Sequence, residues 1–183
     1  MSRPLFKRNF QTCVKIFFLV FAVLAMYTGV IVYMYNPELA EVLSSYQNLM
    51  PEVMAAMGMS GSAANLLEWI QIYLYGFIML LFPVIFIVVL VNKMVMRYID
   101  SGSMADLLAT PNSRRKIIRT QAISCVLWIG ILMAAVSAVG VIAANVMFEG
   151  ELDVKRYLLL NGSTLLLWFA VLGISFFFGM YFF

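Results

Sequence analysis

Four long runs of apolar residues limit the possible folds of this chain more than any other feature. The runs are residues 16–35, 69–91, 121–147 and 157–183, and none of them contains Asp, Glu, Lys, Arg or His. Roughly 20 apolar residues in a helix cross a bilayer core about 30 Å thick. The whole chain is 64% hydrophobic and 11% charged, against about half and about a quarter in soluble domains. The sequence therefore predicts an all-α, polytopic, helical membrane bundle with about four transmembrane helices.

The segments that connect these runs complete the predicted organisation. Residues 1–15 mix basic and apolar side chains, which indicates either a short interfacial helix on the membrane surface or an ordinary charged flank. Residues 36–68 are amphipathic and acidic, and predict an extracytoplasmic loop with short interfacial helices. Residues 92–120 form the most polar segment and predict a cytoplasmic loop. Residues 148–156 predict a second, short extracytoplasmic loop.

Particular residues in the second, third and fourth runs carry further predictions. Pro83 is expected to kink the second span. Trp69 and Tyr73 are candidate anchors at the membrane interface. Asn145 and Asn161 are expected to hydrogen-bond between helices near the outer side of the membrane.

Basic residues are distributed unevenly, and their distribution predicts the orientation. Of the 12 Lys and Arg residues, all but Lys155 and Arg156 lie in residues 1–15 and 92–120. Cytoplasmic loops carry an excess of basic residues, so the N-terminus and the middle loop are expected in the cytoplasm of a multi-pass plasma-membrane protein. Cys13 and Cys125 then lie near the cytoplasmic ends of spans, and no disulfide is expected.

The last run ends at Phe183 without a polar flank, which is unusual for a membrane helix because nothing anchors it at the interface. Two interpretations follow. The chain is a fragment of a longer permease, or it is a four-span protein with a bare C-terminus.

The cytoplasmic loop contains an ordered pattern of local signals. Ser103 can cap a short helix, and Asp106 lies where its charge favours the helix dipole. Pro111 ends that helix, and a second helix then begins near Arg114. The predicted result is a helix, a break and a second helix, with an apolar face available to a partner.

The string DSGSMADLLATPNSR, residues 100–114, resembles the corresponding loop in membrane subunits of ABC type 2 exporters. That family commonly has an acidic, Gly-containing segment, a Leu-Leu pair, Thr-Pro and Ser-Arg before the next span, although Asp100 and Asp106 stand where a glutamate is common. The family also normally has six spans.

The resemblance implies that this loop docks on a separate ATP-binding subunit and transmits nucleotide-driven closure to the spans. The residues it assigns to coupling are Asp100, Met104, Asp106, Leu107, Leu108, Pro111, Arg114 and Arg115. The alternative is an ordinary basic connector that only sets the topology.

Several kinds of chemistry are not expected from this sequence. No G-x-x-x-x-G-K-[ST] string occurs, so any ATP is bound by another chain. Histidine is absent from the chain, and no Asp, Glu, Lys or Arg lies within the apolar runs, which argues against an enzyme and against an ion-coupled transporter. We therefore expect no catalytic residue, no cofactor, no metal and no nucleic-acid partner. Any substrate that touches the spans is expected to be apolar or amphipathic.

Small residues recur every four positions in the third run, at Gly130, Ala134 and Ala138. Such spacing lets helix backbones approach closely in lipid. It indicates packing within the subunit or, alternatively, a dimer interface with a second permease chain, identical or different. A different function is also open at this point, namely a non-transporting immunity or assembly subunit that binds another membrane protein.

Overall fold

The computed structural model describes residues 3–36, 49–56, 65–96 and 114–181, and every regular element in these ranges is helical. The α-helices are α1 (Arg3–Tyr33), α2 (Pro51–Ala56), α3 (Leu66–Ile70), α4 (Ile78–Val91), α5 (Arg114–Met147) and α6 (Val154–Tyr181). Two π-helical segments, Gln71–Tyr75 and Asn92–Met96, follow α3 and α4 respectively. The predicted all-α membrane bundle is confirmed.

Three helices are long and apolar enough to cross a bilayer, over Phe6–Tyr33, Arg115–Met147 and Val154–Gly179. A bent pair, Leu66–Tyr75 with Ile78–Met94, makes a fourth if it is counted as one span. The described residues therefore hold three to four spans, in agreement with the predicted number.

The predicted interfacial segment and the first span are parts of one continuous helix, α1. Pro4 lies in the first turn, where its missing N–H costs no helical hydrogen bond. No Gly or further Pro occurs before Gly29, so nothing in the local sequence interrupts the hydrogen bonding between residues 1–15 and the apolar run.

The second span has a break at Gly76 and Phe77, before Pro83, and the predicted kink at Pro83 stays a prediction. The two halves meet at 43° across this break, while Pro83 lies inside the continuous helix α4. The π-helical segment before the break changes the hydrogen-bond register, and π-bulges are a known cause of sharp bends. The carbonyl of Phe77 accepts bonds from the N–H groups of Leu80 and Leu81 at 3.1 and 2.9 Å, and so begins the new helix.

Trp69 is buried within the protein, with 3% of its surface exposed, and its predicted place at the membrane interface stays a prediction. Its indole N–H donates to the carbonyl of Ile31 at 2.9 Å. The N–H of Tyr35, which a continuing α-helix would aim at Ile31, bonds to Val32 instead at 3.2 Å. Trp69 therefore satisfies a carbonyl at the end of α1, where helices leave such groups without helical partners. Tyr73 packs against the Trp69 ring, with centroids 4.4 Å apart.

Side chains cap the starts of two helices. Asn65 Oδ1 accepts from the Glu68 N–H at 3.0 Å, and Asn65 Nδ2 donates to Glu68 Oε1 at 3.2 Å. Asp153 caps α6 by accepting from the Arg156 N–H at 3.1 Å. Gly150, with φ of +83°, makes the turn between α5 and α6 in a backbone conformation that favours glycine. Asn65 thus marks the start of α3, and Gly150 and Asp153 mark the turn between α5 and α6.

The chain divides into two compact units. The first unit comprises Met1–Val20, Pro83–Met133 and Leu165–Phe183, and the second comprises Phe21–Phe82 and Ala134–Thr164. In the described ranges, every charged residue of the first unit is basic, whereas all of the acidic residues belong to the second unit. Those acids are Glu52, Glu68, Glu149, Glu151 and Asp153.

Candidate functional site

Most of the predicted coupling residues lie outside the described residues. These are Asp100, Met104, Asp106, Leu107, Leu108 and Pro111. Arg114 begins α5, and Arg115 lies exposed in its first turn. The role assigned to all eight residues stays a prediction.

The two helical segments that flank the predicted coupling loop are packed together within the first unit. Met94, in the π-helical segment after α4, accepts a weak hydrogen bond from the Cys125 thiol, with the two sulfurs 3.4 Å apart. The exposed fractions of the two side chains are 1% and 0%. The end of the second span is therefore held against α5 by a buried contact between thioether and thiol.

Helix α1 packs against the same region of α5 through aromatic rings. Phe10 stacks on Trp128 with ring centroids 4.4 Å apart, and Phe17 lies 4.9 Å from Trp128 at a tilt of 46°. Aromatic pairs at such separations stabilise packing by about 0.5–1.5 kcal/mol beyond the area they bury. A single part of α5 thus contacts both the N-terminal helix and the segment that enters the coupling loop.

Buried polar groups accompany this packing, and sequence reasoning did not identify them. Asn9 Nδ2, both polar side-chain atoms of Gln121 and Trp128 Nε1 are buried and have no hydrogen-bond partner in the part of the chain that the structure describes. Asn9 lies among the basic residues of the N-terminal segment, and Gln121 lies at the start of the third apolar run. Their burial depends on tertiary packing.

The second unit contains a hydrogen-bonded cluster centred on Asn161. Its Oδ1 accepts from the Tyr75 hydroxyl and the Ser137 hydroxyl, each at 2.7 Å, and its Nδ2 donates to the Tyr157 carbonyl at 2.7 Å. One amide thus joins the second, third and fourth spans, and the predicted interhelical bonding of Asn161 is confirmed. Asn145 is exposed and makes no hydrogen bond with the described residues.

Asn161→Leu is expected to lower the free energy of unfolding by about 1–3 kcal/mol, because two buried hydroxyls lose their acceptor. The measurement is denaturant unfolding of the purified protein in mixed micelles. Asn145→Leu is the matched control and is expected to leave the midpoint unchanged. Equal effects of the two substitutions would contradict a structural role for the cluster.

Gly140 allows close approach of α5 and α6 within the second unit. A Cβ atom at this position would lie 2.9 Å from Cζ of Tyr157 and closer still to its hydroxyl. A Cβ at Gly130, by contrast, would meet nothing within 4 Å. Ala134 and Ala138, which continue the predicted stripe, are exposed. Whether that stripe serves helix packing or a dimer interface stays a prediction.

Two apolar grooves open on the surface of the first unit. One, of about 270 Å³, lies between α5 and α6. The other, of about 360 Å³, lies between the end of the second span and α6 and has Asn92 and Ser175 on its polar part. Among the residues that the structure covers, no group of three or more potential metal ligands occurs. Apolar or amphipathic molecules are the ligands that such grooves fit.

Comparison with known proteins gives one match. The family model described as "ABC-2 family transporter protein" matches residues 5–181, which includes the predicted coupling loop, the first three apolar runs and all but the last two residues of the fourth. No curated protein and no solved structure matches the chain significantly.

Proposed function

Since the chain belongs to the ABC-2 family of transporter proteins and is a multi-pass membrane permease component of an ABC transporter, we propose that it couples ATP hydrolysis by a separate ATP-binding subunit to export. The ATPase docks on the loop at 92–120, through the side chains of Asp100, Met104, Asp106, Leu107 and Leu108. Pro111 provides the break, and Arg114 and Arg115 anchor the start of α5. The chain itself is non-catalytic in this proposal.

The observation that carries the proposal is the buried contact between Met94 and Cys125. It joins the segment that enters the coupling loop to the helix that leaves it. Trp128, one turn further along α5, also contacts α1 through Phe10 and Phe17. A displacement of the loop is thereby passed to three helices of one packed unit, because close-packed side chains transmit strain.

The separation of charges supports the proposed orientation. The first unit, which carries the ends of the coupling loop, has only basic charges in its described part, and the second unit holds the described acids. Under the positive-inside rule, the basic ends of the spans face the cytoplasm. This puts the loop on the side where ATP is available.

Two further parts of the proposal concern the substrate and the assembly. The apolar runs contain no Asp, Glu, Lys, Arg or His, and the grooves of the first unit are mainly apolar. The substrate proposed is therefore an apolar or amphipathic molecule such as a drug, a lipid-like compound or a hydrophobic peptide. Gly130, Ala134 and Ala138 form a stripe of small residues, of which Ala134 and Ala138 are exposed, and this stripe suits close contact with a second permease chain, identical or different.

The test is affinity purification of the tagged protein in mild detergent, followed by mass identification and an ATP hydrolysis assay. Recovery of an ATP-binding-cassette protein in about equal amount, with ATPase activity in the complex, is the expected result. Recovery of other membrane proteins without any ATPase would overturn the coupling proposal and favour a non-transporting role.

A further inference from the structure

The groove between α5 and α6 is apolar along its length. Its lining residues are Ala122, Val126, Phe169, Leu172, Gly173 and Phe176. On α6, the spacing of Phe169, Gly173 and Phe176 places all three on one face. Gly173 widens the groove, because a Cβ atom there would meet nothing within 4 Å. An extended hydrocarbon chain fits such a surface.

Two arginines continue this groove toward the start of α5. Four residues of α5 lie within an arc of about 60° around the helix axis, because they are spaced by four, three and four positions. These residues are Arg115, Arg119, Ala122 and Val126. Both arginines are exposed, and neither has an ion-pair partner among the described residues. Lys116 lies outside this arc, about 60° from Arg119 and about 100° from Arg115. Two exposed guanidinium groups, which have no ion-pair partner in residues 3–36, 49–56, 65–96 and 114–181, therefore continue the line of the apolar groove on α5.

The dimensions and the electrostatics fit a membrane lipid. The distance along the helix axis from Arg119 to Val126 is about 10 Å, within the depth of about 15 Å of one leaflet. The first turn of α5 holds three basic residues and no acid, next to the positive end of the helix dipole. A bound anion would reduce the repulsion between these basic side chains and the positive end of the helix dipole. Planar guanidinium groups bind phosphate oxygens in pairs.

We propose that this groove binds an anionic phospholipid of the leaflet that faces the start of α5. The phosphate binds Arg119 and Arg115, and one acyl chain lies along Ala122, Val126 and Gly173. Arg115 and Arg119 belong to the end of the proposed coupling loop, but lipid binding to this groove is tested without a docked ATPase, so its outcome is separate from that of the docking proposal. It adds a lipid cofactor site to the permease.

The experiment uses the full-length protein in nanodiscs that contain phosphatidylcholine with a minor fraction of phosphatidylglycerol carrying a diazirine on one acyl chain. After irradiation, the crosslinked peptides are mapped by mass spectrometry. Crosslinks to the peptides with Val126 and Phe169 or Phe176 are expected. A diazirine phosphatidylcholine probe at equal concentration is expected to give about tenfold less product, because it lacks the net negative charge.

Matched variants separate the headgroup contacts from the acyl-chain contacts. Arg119→Gln is expected to reduce the phosphatidylglycerol product about tenfold, whereas Lys116→Gln, with the same loss of charge, leaves it unchanged. Gly173→Leu fills the groove and is expected to abolish crosslinking of both probes. Gly162→Leu, also in open space on α6 but in the second unit, is the control for that substitution.

Three outcomes would overturn the proposal. They are equal labelling by the two probes, an equal loss in Arg119→Gln and Lys116→Gln, and acyl crosslinks that fall outside α5 and α6. If Gly173→Leu fails to insert, Arg119→Gln and its control still decide the question, because an exposed substitution of this kind leaves the packing intact.

Discussion

Replacing both Leu107 and Leu108 by Asp is expected to release the ATP-binding subunit and abolish transport, while leaving membrane insertion unchanged. Burial of each leucine in a partner's groove stabilises the complex by about 1.5–3 kcal/mol. Two carboxylates in the same groove add a desolvation cost. The total loss is at least about 3 kcal/mol, which weakens binding more than a hundredfold. The measurement is the amount of ATPase recovered with the tagged permease, together with transport in reconstituted vesicles.

The control for this pair is Leu107→Met with Leu108→Met, which keeps the size and apolar character of both side chains. We expect the methionine pair to retain the ATPase. A second control, Leu49→Asp with Val53→Asp, introduces the same charges at exposed positions in the proposed extracytoplasmic loop and is expected to leave ATPase recovery intact. Undiminished recovery with the aspartate pair in the coupling loop would contradict the docking assignment.

Gly140→Ala is expected to destabilise the protein by about 1–3 kcal/mol, the usual cost of inserting a methyl group into a packed site. The new Cβ would lie 2.9 Å from Cζ of Tyr157, so either the ring or the helix has to move. Replacing glycine by alanine inside a helix normally stabilises the helix by up to about 1 kcal/mol. The cost of packing the new methyl group at Gly140 opposes this stabilisation. The midpoint of thermal unfolding in detergent, followed by the circular dichroism signal, measures the result.

Two variants sharpen this experiment. Gly130→Ala makes the same substitution in the same helix where the added methyl group meets open space, and we expect it to be neutral or slightly stabilising. Tyr157→Phe removes the hydroxyl that lies closest to the new methyl group, so combining it with Gly140→Ala should recover part of the loss. The interpretation is wrong if Gly140→Ala and Gly130→Ala behave alike, or if the double variant shows no coupling.

Predictions for single residues in the spans were confirmed where a local physical rule applied. Contacts that depend on residues distant in the chain were not predicted. Asn161 was expected to bond between helices, because an amide in lipid needs partners, and it does so with Tyr75 and Ser137. Trp69 was expected to lie at the membrane interface, which stays a prediction, and the sequence did not predict that Trp69 is buried and bonds to the carbonyl of Ile31, 38 residues earlier in the chain. An aromatic residue at the start of a span can anchor the helix at the membrane interface or pack against another helix. The residues next to it in the sequence do not distinguish these two roles.

The bend in the second span illustrates the same limit. Pro83 removes one N–H from the helix ladder, and sequence reasoning assigned the kink to it. The 43° break follows the π-helical segment Gln71–Tyr75, which contains no proline and was not predicted, whereas the kink at Pro83 itself stays a prediction. A π-helical register arises from side-chain packing around the helix, so the local sequence carries little information about it.

The sequence by itself determined that this protein is an all-helical membrane protein with three to four spans, and it also indicated the ABC-2 family. These properties follow from uninterrupted apolar runs and from a contiguous motif, both of which are local along the chain. Only the tertiary structure decided that Met94 meets Cys125, that Gly140 accommodates Tyr157, and that two arginines continue the line of an apolar groove on α5. Such contacts join residues far apart in the chain. Every helix with the same apolar composition offers several equivalent faces to its neighbours, and packing selects one of them.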